Sequence, residues 1–424
     1  MEEKVDIVAL GELLIDFTEA GHSQGGRKLF EQNPGGAPAN LLTVASHFGY
    51  RTSFIGKVGN DMHGKFLKRT LQTEGINTDA IVEDPDYFTT LAFVEIGENG
   101  ERNFSFARKP GADTQLKKEE LDQTLISGCR IFHFGSLSLT DEPAESATIE
   151  AVKMAKAAGV LISYDPNYRP SLWKSKEYAV KKMKSVVELV DVMKVSDEES
   201  ILLTGAKSYE QAAEEILAMG PKLVAITLGE HGVLMATKSR KEIIKAFQTH
   251  AVDTTGAGDS FWGGVLCSIL SINKPVEKME WEEIRKCAVL GNAAELHFIK
   301  DAHIDFICTH PPYADIIKYS KGIEGDISML GVKSFIDAMD KVAYEAYRVL
   351  KKGKMCAVMI GDIRKCGKVV PLGFRMMECF LRAGFINKEI IIKEQHNCKS
   401  TGYWEKQNNN FLLLAHEYIF VFEK

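Results

Sequence analysis

At 424 residues the chain is long enough for two or three domains with real cores. Its 45% hydrophobic and 26% charged content is ordinary for a globular protein, and a net charge of −6 gives no general reason to expect nucleic-acid or membrane binding. The eight cysteines form no CxxC pair and no histidine cluster accompanies them, so reduced, packing thiols are expected, as in a cytoplasmic protein. The MEEKVDIVAL start lacks the basic end and long apolar stretch of a signal peptide, and no run approaches the ~20 apolar residues of a membrane span.

Residues 5–10 are an apolar run that reads as a buried strand, and 37–48 read as a helix after a glycine turn. The alternating runs 89–96 and 102–107 flank GENGE and predict a β-hairpin. Beyond residue 111 the pattern becomes strand 131–134, helix 142–158, strand 160–164, helix 175–189, strand 190–195, helix 209–219 and strand 222–228. Such alternation predicts a mostly parallel sheet with helices on both faces and ligands at the carboxyl ends of the strands.

The segment DTTGAGDSFWGGVL (253–266) then combines a glycine turn, at Gly256 and Gly258, with a helix over 260–270. First-turn amides lack intrahelical partners and sit at the positive end of the helix dipole, so an anion is expected there. Asp259 beside them could take a proton from an attacking hydroxyl. Near residues 292–300 the texture changes. Residues 1–299 carry a net −10 and 300–424 a net +4, a hint of two origins. A strand at 304–308 leads into THPPY. Helix spacing follows at Phe335, Met339, Val342, Ala346 and Leu350, then a strand at 355–360; two final apolar runs, 411–415 and 418–422, are expected to pair as a hairpin.

With GELLIDF (11–17), NPGGAPAN (33–40), DPNYR (165–169) and ITLGEHG (226–232) ahead of the glycine motif, residues 1–294 resemble the ribokinase-like sugar kinases of the phosphofructokinase B family, and within it the fructokinases. The resemblance implies an α/β fold, a three-layer αβα sandwich with a small β lid whose strands fall within 12–30 and 86–110. It implies phosphorylation of a sugar hydroxyl, fructose before ribose or adenosine, with ATP and Mg²⁺. Asp259 is then the base, and Gly256, Ala257 and Gly258 form the anion hole. Asp16, Gly35, Gly36 and Asn40 match the sugar site, with a satisfied core carboxylate as the other reading of Asp16. Asp165, Asn167 and Arg169 either reach substrate or phosphate, or staple their own turn. Arg108, after the lid hairpin, either reaches over the sugar or is solvated.

Lys194, Thr227, Gly229, Gly232 and Asn292 match nucleotide-contacting positions. Ser196 and Glu199 match an Asn-x-x-Glu element that organises Mg²⁺, and Asp253 either helps hold a monovalent cation or caps its own loop. Sugar and ATP are the implied partners, and the lid strands are an implied homodimer contact.

Residues 295–424 are similar to amino-group DNA methyltransferases, which act on adenine N6 or cytosine N4. The signals are His310-Pro311-Pro312-Tyr313, RVLKKGK (348–354) and AHEYIFVFEK (415–424). The resemblance implies a partial Rossmann-like α/β fragment in which Tyr313 stacks on a flipped-out base. His310 stands where that family has Asp, Asn or Ser. No FxGxG-like turn lies beside THPPY or after it, so S-adenosylmethionine is not an expected cofactor, and DNA is a partner only if the fragment is active. The kinase family continues past Asn292 with elements that wall the adenine pocket, so both halves are expected to be incomplete.

Overall fold

The computed structural model describes every residue except 1–3, 24, 97–101, 247–255, 289–292, 295, 297–298, 300, 315–326, 366–367 and 395–415. The chain divides into two compact units, 1–246 with 253–289, and 247–252 with 290–424.

In the first unit the elements run β1 (Ile7–Leu10), β2 (Leu14–His22), β3 (Lys28–Gly35), α1 (Ala37–His47), β4 (Thr52–Gly59), α2 (Met62–Thr73), β5 (Ile81–Asp84), β6 (Leu91–Ile96), β7 (Arg102–Ala107), α3 (Gln123–Gly128), β8 (Ile131–Gly135), α4 (Ala144–Ala157) and β9 (Leu161–Asp165). They continue with α5 (Lys176–Lys184), β10 (Val192–Ser196), α6 (Asp197–Thr204), α7 (Tyr209–Met219), β11 (Leu223–Thr227), β12 (Val233–Ala236), β13 (Lys241–Ile244), α8 (Ala257–Ile272) and α9 (Trp281–Lys286).

Nine strands form one sheet in the order β13-β12-β11-β10-β9-β8-β1-β4-β5, parallel from β11 to β5. Successive strand residues point to opposite faces, and both faces are apolar. Val8, Leu10, Phe132, Phe134, Ile162 and Tyr164 pack in one core with α4 and α7 residues, whereas Ile7, Ala9, Ile131, Val192 and Leu223 pack in another with α1, α2 and α8 residues. Helices on both faces of one sheet make the three-layer αβα sandwich. The antiparallel edge hairpin β12–β13 was not anticipated; its turn runs through Thr237 and Arg240, whose backbone groups bond each other.

The lid is a separate four-stranded sheet, β3-β2-β6-β7. The hairpin expected between 89 and 107 is present, with Leu91 opposite Ala107, although its GENGE turn lies outside the described residues. Residues Asn33 to Gly35, which open the NPGGAPAN segment, are the last residues of β3.

One buried polar pair ties core to site. Trp262 Nε1 donates to Ser163 Oγ at 2.8 Å, and Ser163 Oγ lies 2.9 Å from His133 Nδ1. The Ser163 hydroxyl, with one proton and two lone pairs, thus bridges the indole and the imidazole. Burial, and secondarily the Lys194 charge, push the imidazole from 6.5 down to about 3. The stabilisation is therefore complete above pH 6.5 and is lost as pH falls toward 3. Acid melting curves should show this loss, and His133→Asn should remove the part that falls between those two values.

The second unit holds β14 (Ile304–Thr309), α10 (Val332–Val349), β15 (Leu350–Ile360), β16 (Ile363–Lys365), β17 (Lys368–Val370), α11 (Leu372–Ala383), β18 (Ile386–Glu394) and β19 (His416–Glu423). Its main sheet runs β14-β15-β19-β18, with β14 parallel to β15 and the rest antiparallel. Phe335, Met339 and Ala346, on the helical spacing read from sequence, are buried in α10. The expected terminal hairpin is corrected. Residues 418–422 lie in β19, whose partners are β15 and β18, while 411–415 fall outside the described residues. Among the described residues no helix is long and apolar enough to cross a membrane.

Candidate functional site

Asp259 sits in the first turn of the 16-residue helix α8. The helix starts at Gly256, whose φ of 70° is left-handed and favours a residue without a side chain. The amides of Ala257 and Gly258 are thereby presented at the positive helix end. A Cβ on Gly258 would stand 2.9 Å from Lys194 Nζ, so the bare backbone is what lets that ammonium come up to the helix start. From α1, Asn40 Nδ2 donates to Asp259 Oδ2 at 2.9 Å, joining positions 219 apart in the chain. Burial raises the Asp259 pKa, opposed by the Asn40 hydrogen bond and by the Lys194 and Arg169 charges. A carboxyl moved toward neutrality is suited to receive a proton.

Asp165 ends β9 and Lys194 lies on the neighbouring strand β10; their side chains meet at 2.9 Å and both are buried. Burial raises the Asp165 pKa, against the pull of Lys194, and Asp259 raises it further. Asn167 takes a positive φ of 47° so that its amide returns to Asp165 Oδ1 at 3.3 Å. A cleft of about 740 Å³ is lined by Asn167, Arg169, Lys194, Ser196 and Glu199, so the strand ends bring five of the expected residues to one opening. On the lid side, Asp16 of β2 lies opposite Asn33 of β3, and its carboxylate fills the space where a Cβ on Gly35 would stand. Gly36, with φ 124°, starts α1 against the Glu12 carbonyl, and a side chain there has neither room nor a relaxed backbone.

This arrangement matches known proteins over the first unit. Residues 4–294 match the pfkB family carbohydrate kinase pattern. The chain belongs to the pfkB family of carbohydrate kinases. Fructokinase-2 of Solanum habrochaites is 44% identical over 267 residues, which is 62% of this chain and 81% of that protein. A crystal structure of fructokinase with bound ATP from Xylella fastidiosa superposes with a TM-score of 0.61 at 31% identity, over 68% of this chain and 89% of that one. A fructokinase double mutant from Vibrio cholerae, bound to fructose, ADP and potassium ion, gives 0.60 at 31% identity, over 68% and 90%. Residues 304–424 match a DNA methylase family pattern. The first unit is thus that of a carbohydrate kinase, an ATP-using phosphotransferase with an alcohol acceptor, and its ribokinase-like fold is shared with these structures.

Several residues of the kinase sit otherwise than expected. Arg108 neither reaches over a substrate nor is solvated. It is 7% exposed, with Nε on Asp113 Oδ2 at 2.8 Å, Nη1 on Thr140 Oγ1 at 2.9 Å and Nη2 on the Leu137 carbonyl at 2.9 Å. A guanidinium buried on this scale requires such partners, and Asp113, five residues on, was the missed signal. Glu199 closes a capping box with Ser196 at the start of α6 and also accepts the Tyr168 amide at 2.7 Å. Thr227 donates to the Val195 carbonyl at 3.4 Å, beside Ser196 in register. Gly229 and Gly232 have φ of 57° and 104°, and a Cβ on Gly232 would strike the Ile244 carbonyl. Asp253 and Asn292 lie outside the described residues.

No group of three metal-ligating side chains stands together among the described residues.

In the second unit the HPPY motif is engaged internally. Tyr313 donates its hydroxyl to Glu417 and accepts the Gly361 amide at 3.1 Å. His310 meets Glu417 at 3.6 Å and turns its ring edge-on to Tyr313, while Lys393 reaches Glu417 at 3.2 Å. Pro311 is buried and Pro312 half-buried.

Proposed function

We propose that this kinase phosphorylates fructose from ATP and Mg²⁺ at the site between α1 and α8. The observation that carries the reading is the Asn40–Asp259 hydrogen bond, which holds a carboxyl of raised pKa at the bare amides of a helix start. Asp259 takes the proton of the attacking sugar hydroxyl, which Asp16, Gly35, Gly36 and Asn40 orient. Amides of 256–258 stabilise the charge that builds on the transferring group, with Lys194 and Arg169 alongside. ATP supplies the phosphoryl group and Mg²⁺ screens its negative charge. Asp165 acts through Lys194, and Asn167 with Arg169 lines the phosphate side. Glu199 orders the Tyr168–Arg169 turn and can reach the metal through water. Thr227, Gly229 and Gly232 serve the nucleotide, Asn292 is assigned to it by its motif position alone, and Asp253 serves the loop or a monovalent cation.

Fructose is favoured because the similar proteins named above are fructokinases. A panel of fructose, ribose, glucose and adenosine with ATP and Mg²⁺ tests this. Fructose should give the highest kcat/KM, and preference for another acceptor would reassign the sugar. The kinase segment ends near residue 294, the protein works in the cytoplasm, and the lid edge is the surface through which two copies would pair.

For residues 295–424 the methylase match favours a second reading, methylation of an exocyclic amine on DNA. We infer that the segment does not perform it alone, because no glycine-rich cofactor loop accompanies the motif and Tyr313 is held by Glu417. Calorimetric titration should detect no saturable S-adenosylmethionine binding. A micromolar isotherm would show that a cofactor site exists.

A further inference from the structure

A continuous line of buried hydrogen bonds runs from the segment after β8 into the lid and ends one residue from Asp16. Thr90 precedes β6 and Arg108 follows β7, so the two stand together at the base of the lid hairpin, beside the Leu91–Ala107 pair. Both side chains turn to Asp113, and all three residues are buried. Thr90 Oγ1 donates to Asp113 Oδ1 at 2.5 Å, and Arg108 Nε donates to Asp113 Oδ2 at 2.8 Å.

Both ends of this line are fixed. On the body side, Arg108 Nη1 donates to Thr140 Oγ1 and Nη2 to the Leu137 carbonyl, each at 2.9 Å. On the lid side, the Thr90 carbonyl accepts the Ile15 amide at 3.1 Å, next to Asp16 in β2. The backbone is shaped to permit the middle link. A Cβ on Gly111 would stand 1.9 Å from Thr90 Oγ1 and 2.8 Å from Asp113 Oδ1, so the hydroxyl reaches the carboxylate only across a residue without a side chain. A hydrogen bond to a buried carboxylate is stronger than one between neutral groups, and a methyl in place of the hydroxyl would take a partner from Asp113 Oδ1.

We propose that Thr90 is a positioning residue for the sugar: its hydroxyl on Asp113 and its carbonyl on Ile15 set where Asp16 stands relative to the body of the kinase. The proposal rests on the sugar-kinase reading, in which Asp16 orients the sugar that Asp259 deprotonates. Asp16 belongs to the lid and Asp259 to α8 on the nine-stranded sheet, so the hydroxyl meets its base only if lid and body keep their register. Thr90 acts through Asp16 and touches no reacting atom.

The test is Thr90→Val, which keeps the shape and the carbonyl and removes the hydroxyl, assayed on the full chain. The KM for the sugar should rise roughly 10-fold, the loss expected of one hydrogen bond to a charged group, while kcat falls less and the KM for ATP holds. Thr90→Ser restores the hydroxyl and should bring the sugar KM back to within about 3-fold of the parent. In hydrogen exchange the amides of β2 and β6 should exchange roughly 10-fold faster in Thr90→Val, with β8 to β11 unchanged. A parental sugar KM in Thr90→Val, an equal rise in the KM for ATP, or a Thr90→Ser variant as impaired as Thr90→Val would each overturn the assignment, as would exchange that is unchanged or raised equally in lid and body. If the parent phosphorylates no sugar, the kinase reading fails, and the exchange comparison alone decides whether Thr90 fastens the lid. Should Thr90→Val fail to fold, Thr140→Val, which releases Arg108 Nη1 at the body end of the line, carries the same measurements.

Discussion

Asp259→Asn should lower kcat by roughly 10² to 10⁴-fold, the contribution of a positioned general base. The KM for the sugar should stay within a few-fold, because the Asn side chain offers Asn40 the same acceptor oxygen that Asp259 now provides at 2.9 Å. The pH profile supplies an independent check. Burial holds the Asp259 pKa above the usual carboxylate range, so kcat/KM of the parent should rise with pH as the base ionises, and the variant should lack that limb. Turnover within a few-fold of the parent would show that another group takes the proton.

The second large effect is expected at Lys194. Its ammonium lies 2.9 Å from Asp165, both side chains buried, and Lys194→Met would leave a carboxylate in the interior without its partner. Breaking one side of a buried pair costs about 3–5 kcal/mol, which a urea midpoint should register. Turnover should fall as well, since the cation nearest Gly258 and the helix-start amides disappears. Adding Asp165→Asn should recover much of the stability and none of the turnover, which separates the two roles. A single variant with parental stability would mean that water reaches Asp165 and satisfies it.

The alternation of strands and helices made the kinase sandwich legible, because parallel strands buried on both faces read as apolar runs such as the one leading to Leu10. The glycine motif was legible for a different reason: a left-handed Gly256 followed by a helix has few other uses. What remained hidden depends on contacts between distant segments. Nothing local distinguishes Asp165 and Lys194 as a pair 29 positions apart, or tells that Arg108 turns inward to Asp113 instead of outward to water. Glu12, just past the apolar run 5–10, was not singled out either, because only its hydrogen bond from the Ala37 amide, 25 positions on, shows that its carboxyl turns inward. In the second unit, β19 pairs with β18 across the intervening segment, and hydropathy alone favoured the nearer apolar run.

The most direct measurement of the kinase reading follows the γ-phosphoryl group of labelled ATP through the full chain with fructose and Mg²⁺. The label should appear on a sugar phosphate at a rate proportional to enzyme, and Asp259→Asn assayed beside it should reduce that rate by at least 10²-fold. Label released only as inorganic phosphate, or transferred equally well by the variant, would contradict sugar phosphorylation at this site.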